Sequence, residues 1–427
     1  MRRGAAFAAR PTPWPARYWN ARSTSAPRSH RFNCAVPACC SQASGRLRRE
    51  APMHDGLLRI GSAAVPYRYG ADCTDGLAEG IEALGLGSAI VVIDEAVQSH
   101  AEPLLSRLGQ RMQVRPIVIA GAEQHKRLSL VEEVLDRAVA EGADRTSAIL
   151  AMGGGLVGNV AGLAASLLFR GVRLVHLPTT PVAAFDAVLS LKQGVNLRSG
   201  KNLCGAYTAP AMIGCDLTWL TTIPRRGLLT GIAEMAKNVL AVVPGRERDF
   251  EEALANLPDR PVAAFTTLFE LGFDSKAPML RTDPNEKKAA LVFEYGHTVG
   301  HALESVAAGA MSHGEAVAWG MLTAAEASAQ LGHLGDADLK RHYRLLSHLE
   351  LPAPRIALER FDLESLATRL RSDNKRGHIP CPPESAPMVL LRRLGEPVAD
   401  GDGMPLIPVS IGTALDAFEK VTATEEL

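Results

Sequence analysis

Residues 291–315, LVFEYGHTVGHALESVAAGAMSHGE, constrain this chain more than any other stretch. His297 and His301 are four positions apart, so on a helix they share one face. His313 follows on a separate element, and a predicted helix further upstream carries Glu234. Three histidines and a carboxylate in this pattern predict a metal site, because neutral imidazole suits zinc, cobalt or iron.

The ordinary alternative is that His297 and His301 are hydrogen-bonded residues of a partly buried helix. The additional histidine and carboxylate favour the metal over this alternative. The spacing leaves open which three of the candidates are ligands. The motif is HxxxH rather than HExxH, since Thr298 stands where the HExxH motif places its general base.

The charge balance argues against a polyanionic partner. The 427 residues include 46 lysines and arginines and 46 acidic residues, a net charge of +0, so we predict no nucleic acid partner. The longest apolar run, around Val157–Leu168, is interrupted by Asn159 and Gly162, and we predict no membrane span. Seven cysteines without a CxxC spacing predict a reducing, cytoplasmic location.

Residues 1–52 differ in composition from the rest of the chain. They are rich in Arg, Pro, Ser and Ala, and they contain no acidic residue before Glu50. Three interpretations compete: a transit peptide, a disordered basic arm, or upstream sequence read in frame from a start codon placed too early. We favour the third, because Met53 leads directly into a strand-like segment.

The next part of the chain alternates between predicted strands and helices. Asp94 follows one buried apolar run, at the position where open α/β sheets bind ligands. From about Leu217 the pattern changes to long amphipathic helices with almost no strand signal. We therefore predict a Rossmann-like α/β nucleotide-binding domain over 53–216 and an all-α metal- and substrate-binding domain over 217–427. The helices predicted in the second domain include 228–240, Phe265–Lys276, Leu291–Glu304, Glu315–Leu331 and Asp336–Leu346.

A glycine-rich turn joins a predicted strand to a predicted helix. Gly153, Gly154 and Gly155 end the strand, and Gly158 and Asn159 lie in the first turns of the helix. This order of elements is typical of a pyrophosphate site on backbone N–H groups at a helix N-terminus. The spacing is not GxGxxG, and the alternative is a tight turn that needs positive φ angles.

Lysines are few beside arginines, and several stand in distinctive contexts. In GKNLCG, Lys201 is followed by Asn202, and a cation beside an amide suits a phosphate. The alternative for this stretch is an ordinary surface loop, and a coding bias would also remove surface lysines. The distinctive lysines are Lys126, Lys192, Lys201, Lys237, Lys276 and Lys375.

Seven features, taken in order, identify a family. They are GGGLVGN, LPTT, Asp186, GKNL, GIAEMAK, EYGHTVGHALE and HGEAVAWG. Together they resemble the sugar phosphate cyclases, the dehydroquinate synthase superfamily, over essentially all of 57–421. The resemblance implies the dehydroquinate synthase-like fold, with an α/β domain followed by a helical domain.

Some residues differ from the dehydroquinate synthases. Those enzymes carry Asp where this chain has Asn159, Asn where it has Glu294, and Lys-Thr-Gly or similar at 192–194. GNVAG, LSLKQ, FEYGHT and DNKRG resemble instead the 2-deoxy-scyllo-inosose synthase branch. This implies a carbon–oxygen lyase that converts D-glucose 6-phosphate to 2-deoxy-scyllo-inosose and phosphate, the first step toward 2-deoxystreptamine aminoglycoside antibiotics.

The resemblance also implies sites for NAD and for Co2+ or Zn2+. The metal would be held by Glu234, His297 and His313, whereas His301 would belong to the phosphate and proton-relay side. The implied cofactor-binding residues are Asp94, Glu123, Lys126, Gly154, Gly155, Gly158, Asn159, Thr179, Thr180, Ser190, Lys192, Lys201 and Asn202. The implied substrate and phosphate residues are Asp186, Lys201, Asn202, Lys276, Lys375 and, reaching across a homodimer, Arg170. The implied catalytic residues are Lys192, Glu294, Lys237 and His301.

The implied reaction begins with oxidation at C4 of the sugar, beside a Lewis-acidic metal. Oxidation acidifies the C5 proton, phosphate is lost from C6, hydride returns to C4, and an intramolecular aldol closes the carbocycle after ring opening. NAD is therefore regenerated in each turnover. Glu294 would manage a proton at C6, and its charge would repel the carboxylate that the dehydroquinate synthase substrate carries.

Two other functions compete with this one. The nearer alternative is 3-dehydroquinate synthase or another cyclase with a heptulose phosphate substrate, which a substrate assay distinguishes. The alternative from another class is a metal-dependent polyol dehydrogenase, which would release NADH and would need no phosphate-binding lysines.

Overall fold

Short apolar runs form the central strands of the sheet in the computed structural model. The strands of the first half are β1 (His54–Ile60), β2 (Ala63–Gly70), β3 (Ser88–Asp94), β4 (Gln113–Ile119), β5 (Ser147–Gly153), β6 (Arg173–Pro178), β7 (Lys192–Leu197), β8 (Gly200–Tyr207) and β9 (Met212–Asp216). Every residue of β5 is buried, and β3 is buried except at its two ends. Such strands are typical of a parallel sheet covered on both faces.

Seven of these strands form one sheet in the order β1-β2-β9-β6-β5-β3-β4. β1 pairs antiparallel with β2, and the other neighbours are parallel. The carboxyl ends of β3, β5 and β6 therefore meet at one edge, which is where open α/β sheets bind ligands. β7 and β8 pair with each other as a separate antiparallel hairpin.

Helices cover both faces of the sheet. The helices of the first half are α1 (Thr74–Glu82), α2 (Gln98–Gly109), α3 (Leu128–Ala140) and α4 (Gly155–Leu167). In β3, Val91 and Ile93 pack with α1 and α2, whereas Ile90 and Val92 pack with α3 and α4. Because successive side chains of β3 point to opposite faces, this strand contributes to the apolar core on each side of the sheet. The predicted α/β fold of the first half is confirmed.

Helices dominate the second half. They are α5 (Arg225–Ala241), α6 (Glu247–Asn256), α7 (Pro261–Leu280), α8 (His297–Ala307), α9 (His313–Gln330), α10 (Asp336–Ser347), α11 (Leu363–Arg371) and α12 (Ile411–Ala423). The remaining strands, in two small sheets, are β10 (Ser385–Val389), β11 (Leu391–Arg393), β12 (Glu396–Pro397) and β13 (Leu406–Ser410). The helices share one large apolar core, and the two small sheets are an addition to the predicted all-α domain.

The structure describes residues 53–198, 200–351 and 363–423, which form one compact unit. The N-terminal extension predicted for residues 1–52 lies outside the described residues. Within the described ranges, no helix has the length and apolar character that a membrane crossing requires.

One local prediction was wrong, and one segment has a structure that the sequence did not predict. The helix predicted over Leu291–Glu304 is a 3-10 turn over Ala289–Glu294 followed by α8, with a break at Gly296, whose φ is +77°. The break makes His297 the first residue of a helix rather than an interior one. The GKNLCG segment, for which a surface loop was the alternative, lies in strand β8.

Candidate active site and metal centre

Three helices bring Glu234, His297 and His313 to one point. Glu234 lies within α5, whereas His297 and His313 are the first residues of α8 and α9. Glu234 Oε1 lies 3.4 Å from His297 Nε2 and 3.1 Å from His313 Nε2. One ligand atom of each residue lies within 4.8 Å of the others. A carboxylate oxygen and two imidazole nitrogens fit Zn2+ or Co2+, and a three-ligand set leaves positions for substrate oxygens.

Glycines allow these helices to approach closely. A methyl group at Gly314 would lie 1.8 Å from the carbonyl oxygen of Thr230, so α9 begins directly against α5. A methyl group at Gly320 would lie 2.0 Å from the carbonyl oxygen of Gly296, where α8 begins. The distances between the three candidate ligands therefore depend on glycine contacts between backbones.

Gly320→Ala is expected to weaken the metal centre without touching a ligand. The added methyl group meets backbone atoms, so α8 and α9 must separate, at a cost of about 1–3 kcal/mol in the free energy of unfolding. The separation moves His297 away from His313, and we expect Co2+ affinity to fall at least about tenfold. Thermal unfolding and Co2+ titration of the metal-free protein measure the two effects.

Gly109→Ala is the matched control, because a methyl group at Gly109 meets nothing within 4 Å. This variant is expected to keep the parent's Co2+ affinity and stability. Equal Co2+ affinity in Gly320→Ala and Gly109→Ala would contradict the role of the glycine contacts.

Hydrogen bonds orient both imidazole rings. Nδ1–H of His297 donates to the carbonyl oxygen of Tyr295 over 3.2 Å, and Nδ1–H of His313 donates to Glu304 over 3.3 Å. In both rings the remaining nitrogen, Nε2, faces Glu234. Partners of this kind fix the tautomer and the ring plane of metal-binding histidines.

The electrostatics of this point suit a cation. Burial raises the pKa of Glu234, but Lys237 and His297 outweigh burial and hold the pKa well below its usual range. Burial lowers the pKa of His313, but its hydrogen bonds to Glu234 and Glu304 raise the pKa to about 10. A buried carboxylate that draws a proton onto a neighbouring imidazole also favours a divalent ion there.

A cavity of about 510 Å³ opens beside these ligands, which is the size of a small-molecule site. Its wall is mostly polar and includes five of the six distinctive lysines of the sequence, all except Lys201. The lining includes Lys126, Asn159, Asp186, Ser190, Lys192, Gln193, Asn202, Lys237, Lys276, Glu286, Glu294, His297, His301, His313 and Lys375.

Lys192 is held by a carboxylate that the sequence did not suggest. Its Nζ lies 2.8 Å from Glu286 Oε2, and the hydroxyl of Ser190 donates to the other oxygen of Glu286 over 2.6 Å. Glu286 is 7% exposed and has a φ of +51°, a strained conformation for a residue with a side chain. Burial lowers the pKa of Lys192, but Glu286 and Glu294 outweigh burial and raise it.

Asp186 joins two further lysines. Nζ of Lys276 lies 3.0 Å from Asp186 Oδ1, and Nζ of Lys237 lies 3.8 Å from the same atom. Lys237 also lies 2.5 Å from Glu234 Oε2. Both lysines are buried, so their charges depend on these carboxylates.

Glu294 lies beside Lys375. Nζ of Lys375 is 3.7 Å from Glu294 Oε2 and 3.0 Å from Asp373 Oδ2. Burial raises the pKa of Glu294, but Lys375 and His297 outweigh burial and hold the pKa well below its usual range. A charged carboxylate therefore stands in the cavity near the metal ligands.

The β7–β8 hairpin adds an amide and a lysine to the site. Lys201 Nζ lies 2.7 Å from Glu304, the carboxylate that also orients His313. Lys126 donates to the side-chain oxygen of Asn202 over 2.6 Å. The hairpin thus connects the nucleotide half of the molecule to the metal ligands.

The turn between β5 and α4 fits a dinucleotide. Gly154 is the N-cap residue, and no side chain of the described residues caps this helix, so its first N–H groups remain for a ligand. Asp94 lies beside this turn, since a methyl group at Gly153 would be 3.1 Å from its Cβ atom. The Thr179 N–H donates to the carbonyl oxygen of Gly153 over 3.0 Å. Thr180 lies 3.2 Å from the position of a methyl group at Gly154.

Asn159 joins α4 to the hairpin. Its amide N–H donates to the carbonyl oxygen of Gly155 over 2.7 Å, and its side-chain oxygen accepts from the Gly194 N–H over 2.7 Å. An aspartate here would face the Gly155 carbonyl with a second acceptor and no proton between them. Asparagine therefore fixes β7, and with it Lys192, relative to the helix of the nucleotide turn.

The chain matches two consecutive family models, 3-dehydroquinate synthase N-terminal over residues 116–230 and 3-dehydroquinate synthase C-terminal over 231–376. It is 40% identical over 376 residues to a 2-deoxy-scyllo-inosose synthase of Micromonospora echinospora, covering 86% of this chain and 92% of the relative. This chain belongs to the 2-deoxy-scyllo-inosose synthase family of sugar phosphate cyclases. The predicted family is confirmed.

Solved structures of this superfamily agree with the fold. A 2-deoxy-scyllo-inosose synthase complexed with carbaglucose-6-phosphate, NAD+ and Co2+ aligns with a TM-score of 0.78 at 32% identity, covering 86% of this chain and 99% of that one. A 2-epi-5-epi-valiolone synthase of Streptomyces hygroscopicus with NAD+ and Zn2+ aligns with a TM-score of 0.73 at 25% identity, covering 85% and 98%. The predicted dehydroquinate synthase-like fold class is confirmed.

Most of the site residues that the resemblance to the 2-deoxy-scyllo-inosose synthase family implied lie around one cavity. His301 also lines it, but its nitrogens are outside the group that converges on Glu234. Arg170 lies apart from the others. It is exposed and precedes β6, at the sheet edge opposite the nucleotide turn. The roles assigned to these residues remain predictions.

Sequence reasoning did not assign Glu286, Asp373 or Gln193. Asp373 begins the DNKRG motif, so its place two residues before Lys375 was an available signal. Gln193 occupies space that Gly162 leaves, since a methyl group at Gly162 would lie 2.1 Å from its side-chain oxygen. No local pattern marked Glu286, which reaches Lys192 from 94 positions away.

Proposed function

We propose that this chain converts D-glucose 6-phosphate into 2-deoxy-scyllo-inosose and inorganic phosphate. The observation that carries the proposal is the Glu294 carboxylate, which lines the same cavity as His297 and lies 3.7 Å from Lys375. A negative charge here disfavours a substrate that brings its own carboxylate and suits a sugar whose one anionic group is a phosphate. The solved relative with carbaglucose-6-phosphate supports this substrate class.

The metal and the dinucleotide each have a fitting set of residues. A divalent ion bound by Glu234, His297 and His313 supplies Lewis-acid polarisation of substrate oxygens. NAD, bound at the β5–α4 turn with Asp94 beside it, supplies a hydride acceptor that is restored within the turnover. The relatives solved with NAD+ and with Co2+ or Zn2+ support both assignments.

Residues of the chain orient these groups. Lys237 contacts the second oxygen of Glu234 and directs the first toward the two histidines. Glu304 holds His313, and Lys201 holds Glu304. Lys201 on the hairpin is thus linked to the metal ligands by two direct contacts.

The lysines of the cavity hold the phosphate and the sugar hydroxyls. Lys192 and Lys375 reach the cavity from different parts of the chain. Glu286 holds Lys192 in place, and Asp373 holds Lys375. A point charge on a flexible stem accommodates a phosphate whose position changes as it leaves. The residues proposed for phosphate and sugar binding are Asp186, Lys192, Lys201, Asn202, Lys276 and Lys375.

Glu294 carries a proton at C6. Lys375 and His297 hold the pKa of Glu294 below its usual range, so the carboxylate form is the one that meets the substrate and accepts a proton. A bound phosphate near Lys375 competes with Glu294 for the ammonium and thereby raises the pKa of the carboxyl group toward that of a working acid–base catalyst.

A homodimer and a cytoplasmic location complete the proposal. Arg170 is exposed and lies at the sheet edge opposite its own cavity, so its guanidinium is available to a neighbouring subunit. The strained conformations of Phe169 and Arg170, with φ of 50° and 69°, are consistent with a functional turn.

Turnover assays with glucose 6-phosphate, NAD and Co2+ test the proposal. We expect stoichiometric release of phosphate and a new cyclic ketone, both abolished by a chelator and restored by Co2+. A heptulose phosphate in place of glucose 6-phosphate is the matched control and is expected to remain unchanged. Turnover of the heptulose phosphate without turnover of glucose 6-phosphate would overturn the proposal in favour of the nearer alternative.

A further inference from the structure

Tyr295 separates Glu294 from the Gly296–His297 turn, yet its side chain does not enter the cavity. It is fully buried, and its hydroxyl lies 2.9 Å from Nε2 of His342, a residue of α10. His342 is also fully buried. Nothing in the proposed reaction uses this phenol–imidazole pair, although it adjoins a metal ligand.

The direction of each hydrogen bond follows from the partners. Nδ1 of His342 lies 2.8 Å from the carbonyl oxygen of Asp338, which only accepts, so Nδ1 carries the proton. Burial lowers the pKa of His342 to about 4, so the ring is neutral and Nε2 is an acceptor. The hydroxyl of Tyr295 therefore donates to His342, and the carbonyl oxygen of Met321 in α9 is a second, longer acceptor at 3.4 Å.

Tyr295 meets the metal centre through its backbone. Its carbonyl oxygen accepts the Nδ1–H of His297 over 3.2 Å. The next residue, Gly296, has a φ of +77°, and a methyl group there would lie 2.8 Å from the carbonyl oxygen of Val317. The carbonyl that sets the His297 ring thus sits in a tight turn, and the Tyr295 side chain ties this turn to α10.

We propose that Tyr295 and His342 are positioning residues of the metal centre. Their hydrogen bond holds the Tyr295 backbone so that its carbonyl keeps Nε2 of His297 directed at Glu234. Asp338 of α10 sets the acceptor tautomer of His342. The inference rests on the proposed metal site, and it extends that site to a helix whose residues do not line the cavity.

Co2+ titration of metal-free protein, followed by the visible absorption of bound Co2+, tests the inference. Tyr295→Phe keeps the ring and removes the donor, and His342→Leu removes the acceptor. Each is expected to weaken Co2+ binding about tenfold to a hundredfold, as the loss of outer partners of metal ligands does. The double variant is expected to bind Co2+ no more weakly than either single variant, because both substitutions break the same hydrogen bond.

Two further variants distinguish positioning from general stability. Tyr343→Phe, on the same helix, loses a hydrogen bond of 2.9 Å to Glu326 and is expected to keep the parent's Co2+ affinity. His342→Gln keeps an acceptor for the Tyr295 hydroxyl and is expected to recover most of the affinity. Thermal unfolding of all variants is measured in parallel.

Co2+ affinity of Tyr295→Phe within twofold of the parent, or an equal loss in Tyr343→Phe, would overturn the inference. Failure of the parent itself to bind Co2+ would overturn the proposed metal centre instead, so the two failures are distinguishable.

Discussion

Replacing His313 with alanine is expected to abolish metal retention and to lower turnover of glucose 6-phosphate at least about a thousandfold, since Lewis-acid stabilisation is worth several kcal/mol. His313 Nε2 and His297 Nε2 lie 3.1 Å and 3.4 Å from the same oxygen of Glu234. A three-ligand site loses its geometry when one ligand is removed. His297→Ala and Glu234→Ala are expected to behave alike. Metal content after gel filtration and phosphate release are the measurements.

His301→Ala is the matched control for these variants. His301 shares a helix and a face with His297, and its ring centroid lies 5.9 Å from that of His313. It is an imidazole in the same cavity whose nitrogens lie outside the group formed by Glu234, His297 and His313. The variant is expected to retain its metal, whatever happens to its turnover. Loss of metal from His301→Ala, or retention in His313→Ala, would contradict the ligand assignment.

Glu294→Gln is expected to separate metal binding from catalysis. The amide keeps the shape and hydrogen-bonding capacity of the side chain but cannot take up a proton, and loss of general acid–base catalysis typically costs about a hundredfold to ten-thousandfold in rate. We expect normal binding of Co2+ and NAD, a single-turnover release of phosphate, and little or no cyclic ketone. Rapid-quench measurement of phosphate and ketone distinguishes these steps.

Asp373→Asn controls for an indirect effect through Lys375. Asp373 contacts the same ammonium as Glu294 does, at 3.0 Å, but it is 8% exposed and does not line the cavity. If Glu294 acts only by holding Lys375, both variants are expected to raise the KM for glucose 6-phosphate and to leave the ratio of phosphate to ketone unchanged. A few-fold effect in Glu294→Gln would refute its catalytic role, and loss of Co2+ would show that it supports the metal ligands instead.

The α/β half could be predicted because its signals are local. β3 and β5 are apolar runs, and each is followed by a segment with helical periodicity, so neither depends on distant residues for recognition. Asp94 and the Gly153–Gly155 turn were assigned from their order along the chain. The β7–β8 hairpin was missed because it lies outside the main sheet and is only partly buried.

The helix break before His297 illustrates what local pattern could not predict. The spacing of apolar residues on both sides of Gly296 predicted one helix, whereas in the structure Gly296 has a positive φ and packs against Val317 and Met321 of α9. Just before the break, the Tyr295 carbonyl accepts the Nδ1–H of His297, which leaves Nε2 facing Glu234. Tertiary packing therefore overrode local propensity at the point where the candidate site is built.

The partners of the cavity lysines could not be predicted from the sequence either. Glu286 contacts Lys192 from 94 positions away, and Glu304 contacts Lys201 from 103 positions away. The sequence indicated the lysines through their contexts, but the identity of each partner depends on how the two halves meet. His342, 47 positions from Tyr295, is a further case.

Glucose 6-phosphate carrying deuterium at C4 tests most directly whether this chain is a cyclase that restores its nucleotide rather than a dehydrogenase. The labelled sugar is incubated with the protein, NAD and Co2+, and phosphate, NADH and the label in the product are measured together. We expect one phosphate for each cyclic ketone, no net NADH, and deuterium retained on the same carbon. Net NADH formed in proportion to the sugar consumed, with deuterium in the released NADH, would contradict the proposed function.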